Sequence, residues 1–209
     1  MYVPAPFAFP PHQRGALFDI IDTHPFALMT VATGGTLDAV HVPLLIDRER
    51  GAYGTLRGHV ARANPIWQAF GGDALVVFHG PHAYVSPDWY TTPGLVPTWN
   101  YVAVHAYGVP QVIAEPDRVL ALLADLSATA EATLAPKPPW TLDKVPPAAR
   151  DALLGGIVAF EIVVTRLEGK QKLSQNRQPA DIAGVETALR ARGDEANRAV
   201  ADLMVATKA

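Results

Sequence analysis

The residues best suited to chemistry crowd into one stretch of the 209-residue chain, His79-Gly80-Pro81-His82-Ala83-Tyr84-Val85-Ser86-Pro87-Asp88-Trp89-Tyr90, closed by Pro97-Thr98-Trp99-Asn100-Tyr101. Tyr and Trp each pair a flat apolar face with a polar tip, a combination that suits a planar polar ligand. The stretch is too aromatic for a solvated linker and, with Pro81, Pro87, Pro93 and Pro97, too broken for one regular element. An aromatic loop packed on the core of a β-protein has the same composition, and residue types alone do not choose between the two. His82, Tyr84 and Trp89 here, with Trp140 further on, are the candidates for lining a substrate pocket. Of these, His82 and Tyr84 are able to move a proton.

A second group is cationic. In Arg57-Gly58-His59-Val60-Ala61-Arg62-Ala63-Asn64-Pro65, Asn64 can cap a helix, Pro65 fits its first position, and Gly71-Gly72 ends it. A helix start with cations nearby is an anion site, although an isolated R-x-H-x-x-R is also a solvated basic turn. A third group, Ser174-Gln175-Asn176-Arg177, offers amide and guanidinium donors. Other chemistries lack their signatures: there is no G-x-S-x-G elbow, no phosphate-binding P-loop and no G-x-G-x-x-G after a strand. His79 and His82 make an H-x-x-H, but with Gly80-Pro81 between them and no Cys the spacing defines no metal site, and none is assigned. Seven His leave haem ligation open.

The elements that must position these groups follow from periodicity. Leu17, Ile20 and Ile21 predict a short helix stopping near His24-Pro25. Strands are expected at 26–33, 37–46, 52–57, 75–78, 99–113 and 157–167, with Gly34-Gly35 turning the first into the second. Pro43 marks the second as an edge strand or a bulge, since it has no N–H to donate. Pro116-Asp117 opens a helix with apolar positions Val119, Leu120, Leu122, Leu123 and Leu126. Residues 135–149 form a proline-rich arm, 170–177 runs polar where a strand would stop, and a weak amphipathic helix lies near 194–206. The expected class is mainly β with appended α-helices (α+β). Its organisation is a small antiparallel barrel of six strands in one domain over 1–209, carrying the N-terminal helix, the arm and the C-terminal helix.

Composition bounds the function. Hydrophobic residues at 49% and charged residues at 18% describe a globular chain, and no apolar run reaches the roughly 18 residues of a membrane span. The N-terminus lacks the pattern of a signal peptide, so a cytoplasmic location is expected. A net charge of −3 without a basic run gives no general attraction to phosphate backbones and argues against direct DNA reading. A barrel with one cationic site, aromatic faces and amide donors suits a planar, hydrogen-bonding, phosphorylated ligand. Flavin mononucleotide (FMN) is one such ligand.

Four ordered motifs carry a resemblance that spans nearly the whole chain. Gly58 to Pro65, His79 to Tyr90, Val96 to Tyr101 and Lys172-Leu173-Ser174-Gln175-Asn176-Arg177, with the start Met1-Tyr2-Val3-Pro4 and Phe7, resemble the PaiB family, described as FMN-binding negative transcriptional regulators. The resemblance implies a Greek-key FMN-binding split β-barrel, also used by pyridoxamine-phosphate oxidases and flavin reductases, and a homodimer with two flavin sites. It places the strand around His41 and Val42 along the flavin ring, Thr55 and Leu56 on the neighbouring strand, and His59 and Arg62 at the phosphate. Arg62-Ala63-Asn64-Pro65 looks like the phosphate-binding turn of the oxidases, with Arg for their Lys, and Trp99, Asn100, Lys172, Gln175, Asn176 and Arg177 would close the site. Asp88 departs from the pattern, where relatives are expected to carry a small polar residue. The functions implied are a regulator acting directly or indirectly or, as the alternative, a flavin-dependent oxidoreductase on a small molecule. Haem binding or degradation stands behind both.

Overall fold

Local preference accounts for most element boundaries, and the computed structural model describes residues 1–207. Arg14–Thr23 (α1) stops before Pro25, and Phe26–Thr33 (β1) turns into Thr36–Pro43 (β2) at Gly34 and Gly35, whose φ angles of 57° and 83° favour glycine. The strand expected at 37–46 is two strands. Pro43 cannot extend the ladder, the Leu44 N–H donates to the Pro25 carbonyl at 2.9 Å, and Leu45–Asp47 (β3) starts another sheet. The strand expected at 52–57 begins later, as Thr55–Ala61 (β4), because Gly51 and Gly54 at φ 85° and 82° shape a turn before it.

The helix expected after Asn64 is a single 3-10 turn, Pro65–Ala69. Asn64 Oδ1 accepts from the Ile66 N–H at 3.0 Å as a cap should, yet so short a turn sums too few peptide dipoles to make an anion site. Ala74–Val85 (β5) corrects the reading of a broken aromatic stretch, since the strand runs through Pro81 and only Ser86 to Pro97, with a 3-10 turn at Pro87–Trp89, lies outside the strands. Its alternation buries Ala83 and Val85 and exposes His82 and Tyr84.

Thr98–Gly108 (β6) and Pro110–Val112 (β7) divide the strand expected at 99–113. Pro116–Ala132 (α2) forms as patterned, and the arm leads into Pro147–Gly155 (α3). Ile157–Val163 (β8) and Arg166–Lys172 (β9) divide the strand expected at 157–167, and β9 carries Lys170 and Lys172 in the ladder rather than beyond it. Pro179–Arg192 (α4) has no counterpart in the sequence reading, because charged residues interrupt its apolar stripe, yet it buries Val185 and Leu189. Gly193 at φ 78° ends α4, and Asp194 caps Glu195–Ala206 (α5) by accepting from the Asn197 N–H at 2.9 Å.

The class is α+β and mainly antiparallel, as expected. Instead of a six-stranded barrel, nine strands among the described residues form two sheets, ordered β2-β1-β5-β6-β9 and β3-β4-β8-β7, with no closed barrel. β2 ends its sheet, as Pro43 implied.

The chain condenses into two compact units. The first gathers Met1–Ile20, His79–His105 and the residues from Glu168 on; its core is Val85, Val102, Leu173, Val185, Leu189, Val200 and Met204. The second gathers Ile21–Phe78 and Ala106–Leu167, with Met29, Leu56, Phe160 and Ile162 fully buried and the Phe70 ring 5.0 Å from that of Phe160. Each such side chain contributes about 1.5–3 kcal/mol by leaving water. Gly58 is there for closeness, since a Cβ would sit 3.0 Å from the Pro43 carbonyl and 2.5 Å from Leu44. No helix among the described residues is long and apolar enough to cross a membrane.

Candidate functional site

In the second unit the sequence-predicted residues fall on β2, β4 and the turn after β4. His41 and Val42 lie on the terminal strand β2, opposite Leu28 and Ala27 of β1, so backbone groups on its other side stand outside that ladder. The His41 ring is exposed and stacks on Phe26 at 5.8 Å, and Val42 is buried. Thr55 and Leu56 lie on an inner strand of the other sheet, paired with both β3 and β8. Thr55 is buried with its hydroxyl donated to the Arg50 carbonyl at 2.8 Å, and Leu56 is sealed in the core.

His59 is half-buried, and its Nδ1 is closed off from water without a hydrogen-bond partner. Burial pushes its pKa below the ordinary imidazole value, so the ring is neutral near pH 7. A buried, unsatisfied ring nitrogen costs free energy until a ligand or water meets it. Arg62 is already anchored: Nε donates to the Gly155 carbonyl and Nη2 to the Ile157 carbonyl, both at 2.7 Å. The Trp67 ring lies 6.0 Å from its guanidinium carbon, and Trp67 Nε1 donates to the Arg62 carbonyl at 2.9 Å. That leaves Nη1 for a ligand. Asn64 is committed to its cap. Trp140 belongs to this unit too, with its backbone N–H donated to Glu131 at 2.8 Å.

The first unit holds the remaining predicted residues. The Trp99 ring is 53% exposed and lies 6.2 Å from the His82 ring and 5.9 Å, edge-on, from that of Tyr84. Lys172 Nζ donates to the Trp99 carbonyl at 2.7 Å and to the Thr98 hydroxyl. Burial, with Lys170 and Arg177 nearby, pushes the Lys172 pKa below the usual lysine value. Asn100 and Gln175 turn out to hold the loop. Asn100 is fully buried, donating to Ser174 Oγ at 3.0 Å and accepting from it at 3.1 Å. Ser174 sits at φ 65°, a left-handed conformation that this pair fixes. Gln175 accepts from the Leu173 N–H at 2.7 Å and donates to the Gln171 carbonyl at 2.6 Å. Asn176 is exposed, and the Arg177 guanidinium lies 5.4 Å from the centre of the Tyr90 ring. Trp89 is half-buried against the core of this unit, apart from the exposed rings.

Two residues escaped the sequence reading. Lys170 is only 9% exposed; its Nζ donates to the Tyr2 carbonyl at 3.1 Å, 5.6 Å from the Tyr2 ring and 5.4 Å from the Tyr101 ring. Its i, i+2 spacing to Lys172 was the available signal, lost because the segment read as non-strand. Asp181 is 1% exposed and accepts four hydrogen bonds from Thr91 and Thr92, at 2.7–2.9 Å. No spacing rule links residues so far apart in the chain.

A planar phosphorylated ring needs backbone groups for its edge, cations for its phosphate and flat faces. In the second unit the β2 edge, His59 Nδ1 and Arg62 Nη1 are groups of the first two kinds, so the donor set of that unit fits the ring edge and phosphate of a flavin nucleotide.

Comparison with known proteins agrees. Residues 1–166 match the family described as "Putative FMN-binding domain". The chain is 33% identical over 206 residues to the protease synthase and sporulation protein PAI 2 of Bacillus subtilis, covering 98% of this chain and 96% of that protein. An uncharacterised protein of Emericella nidulans is 28% identical over 92% of each chain. Among solved structures, the FAD and heme binding protein of Mycobacterium smegmatis is similar over 76% of this chain and 71% of its own, with a TM-score of 0.55 and 18% identity. The flavocytochrome Anf3 of Azotobacter vinelandii is similar over 78% of this chain and 67% of its own, with a TM-score of 0.53 and 13% identity. At such identities the likeness establishes the fold alone. The sequence matches go further: the chain belongs to this FMN-binding family of PaiB-like proteins, and FMN is the cofactor that membership assigns to it.

Proposed function

We propose that the protein is an FMN-holding homodimer that lowers transcription of its target genes indirectly, through a partner or a small-molecule reaction. The observation that carries the flavin assignment is the buried, partnerless Nδ1 of His59 on β4, three residues before Arg62. In this reading the outer backbone of β2 at His41 and Val42 meets the ring edge. Thr55 and Leu56 support the adjoining sheet, and His59 with Arg62 Nη1 reads the phosphate beside the Asn64 turn. Trp99, Asn100, Lys172, Gln175, Asn176 and Arg177, which the resemblance also brings to the cofactor, lie in the first unit, where Asn100 and Gln175 hold the loop. FMN, once bound, supplies hydride and electron transfer, and the chain binds and orients it. Exposed Phe26 and Leu37 on β1 and β2 suit a second copy of the chain.

Indirect action is supported by the helix pair α4–α5. The second helix of that pair carries Glu195 and Asp202 against Arg198, and Arg190 is paired with Glu186 and Asp202, so neither offers the basic face that reads a groove.

The deciding experiment is an absorbance spectrum after FMN addition and dialysis, with the mass in solution measured on the same sample. Retained flavin at one per subunit of a dimer is expected; a colourless monomer overturns the reading. Salt-sensitive, sequence-specific gel shifts by the purified protein would overturn indirect action.

The exposed cluster of His82, Tyr84 and Trp99 favours a second reading, a flavin-dependent oxidoreductase with His82 or Tyr84 moving a proton. Anaerobic bleaching of the bound flavin by NADH or NADPH is its expected signature. A flavin that neither reduces counts against it.

A further inference from the structure

We propose that the first unit carries a binding site for a planar aromatic anion, built from Lys170, Lys172 and Arg177 with the rings of Trp99, Tyr84 and His82. The inference goes beyond the flavin reading, which is carried by residues of the second unit.

Unbalanced charge is the first argument. Alternation on β9 sets Lys170 and Lys172 on one face, about 6–7 Å apart along the strand. Their hydrogen bonds go to uncharged groups: Lys170 to the Tyr2 carbonyl, Lys172 to the Thr98 hydroxyl and the Trp99 carbonyl. Arg177 spends its charge on the face of Tyr90. None of the three has a carboxylate partner among the described residues. Of the carboxylates of this unit, Glu168 is held by the Met1 amine and Asp181 by Thr91 and Thr92.

Lys170, almost fully buried, and Lys172 repel each other and have lost hydration, and the charge of Arg177 adds to the repulsion at Lys172. A stable chain keeps such an arrangement where an anion relieves it. The second unit is built otherwise, with Arg50 and Arg118 on Glu161 and Arg57 on Asp125.

The rings fix the ligand class. Trp99 and Tyr84, 53% and 47% exposed, meet edge-on at 5.9 Å, and Lys172 is tied to the Trp99 backbone. An inorganic anion would leave these faces wet, and a neutral aromatic would leave the cations unrelieved. A flat ring bearing a carboxylate or a phosphate uses both.

Calorimetric titration of the FMN-loaded protein with naphthoate, naphthyl phosphate and neutral naphthamide tests this. Either acid should bind about tenfold more tightly than the amide, the advantage of a charge-assisted hydrogen bond. The tighter of the two acids identifies the head group. The preference should vanish in the Lys172→Gln, Arg177→Gln double variant, and Trp99→Ala should weaken acid and amide alike. Equal binding of acid and amide by the native chain, or a preference that survives the double variant, overturns the proposal. If the double variant does not fold, a salt series on the native chain decides: a preference that shrinks with ionic strength supports the site, and a salt-independent one overturns it. Flavin absorbance in the same cell reports the flavin reading separately. Acid preference without bound FMN would remove the flavin reading and keep the anion site. Bound FMN without acid preference would do the reverse.

Discussion

Two clusters, one around Glu161 in the second unit and one on β9 in the first, treat charge in opposite ways. In the second unit, Glu161 of β8 accepts from Arg50 at 2.9 Å and from Arg118 at 2.7 Å, Arg57 meets Asp125 at 3.2 Å, and Arg62 is pinned to two carbonyls. Arg50, then Arg118, holds the Glu161 carboxyl below the usual carboxylate range. In the first unit, Lys170, Lys172 and Arg177 find only carbonyls, a hydroxyl and ring faces. Paired guanidinium groups brace a scaffold, whereas unpaired cations beside exposed rings wait for something. A cation's partner therefore says more about its role than its place in a motif does.

The comparison can be broken first through the scaffold itself. Phe160→Ala removes a fully buried ring from the second unit and should cost about 3–5 kcal/mol in urea unfolding. A loss under 1 kcal/mol, on the order of a surface change, would mean that this core is not the brace it appears on packing grounds.

Arg62 tests whether a pinned guanidinium still serves a ligand. Arg62→Ala should weaken FMN binding by about 1.5–3 kcal/mol, read by fluorescence titration, through loss of a charge-assisted phosphate contact. Unchanged affinity with lowered stability would reassign Arg62 wholly to the scaffold.

Glu161→Gln sharpens the contrast at smaller scale. Arg50 and Arg118 are each nearly half exposed, so screening limits the expected loss to about 1 kcal/mol in unfolding. That loss should shrink at high salt. FMN content should not change.

The last test is a slope. Hydrogen bonds from the Thr92 hydroxyl and N–H, then from Thr91, hold the Asp181 pKa down at about 2. The folded state thus favours the carboxylate. Its stabilisation is complete above about pH 4, the unfolded aspartate value, and is lost as pH falls through about 2. Urea midpoints of the native chain should fall more steeply from pH 5 to 2 than those of Asp181→Asn. Parallel slopes would remove Asp181 as the acid-sensitive anchor of the first unit.

Much of the scaffold was legible in the sequence. β1 was read at its observed limits, Pro43 placed β2 at a sheet edge, and Asn64 capped its turn. The misses have common causes. Each of the three divided strands breaks where the chain passes from one sheet to the other, and periodicity cannot see that. α4 was hidden because its buried stripe is narrow, and β9 because Lys170, Gln171 and Lys172 make its second half read as polar.

By itself the sequence determined the fold class, the family and therefore the cofactor, because these depend on short-range patterning and on motifs that lie contiguous in the chain. Only the tertiary structure decided which motif residues are free to act. Asn100 and Gln175 look like ligand donors in the sequence but spend their amides on Ser174, Leu173 and Gln171. Lys170 looks like a solvated charge but is buried between two tyrosine rings. A hydrogen-bonding group has a limited number of partners, and folding over long sequence separations settles how many are left.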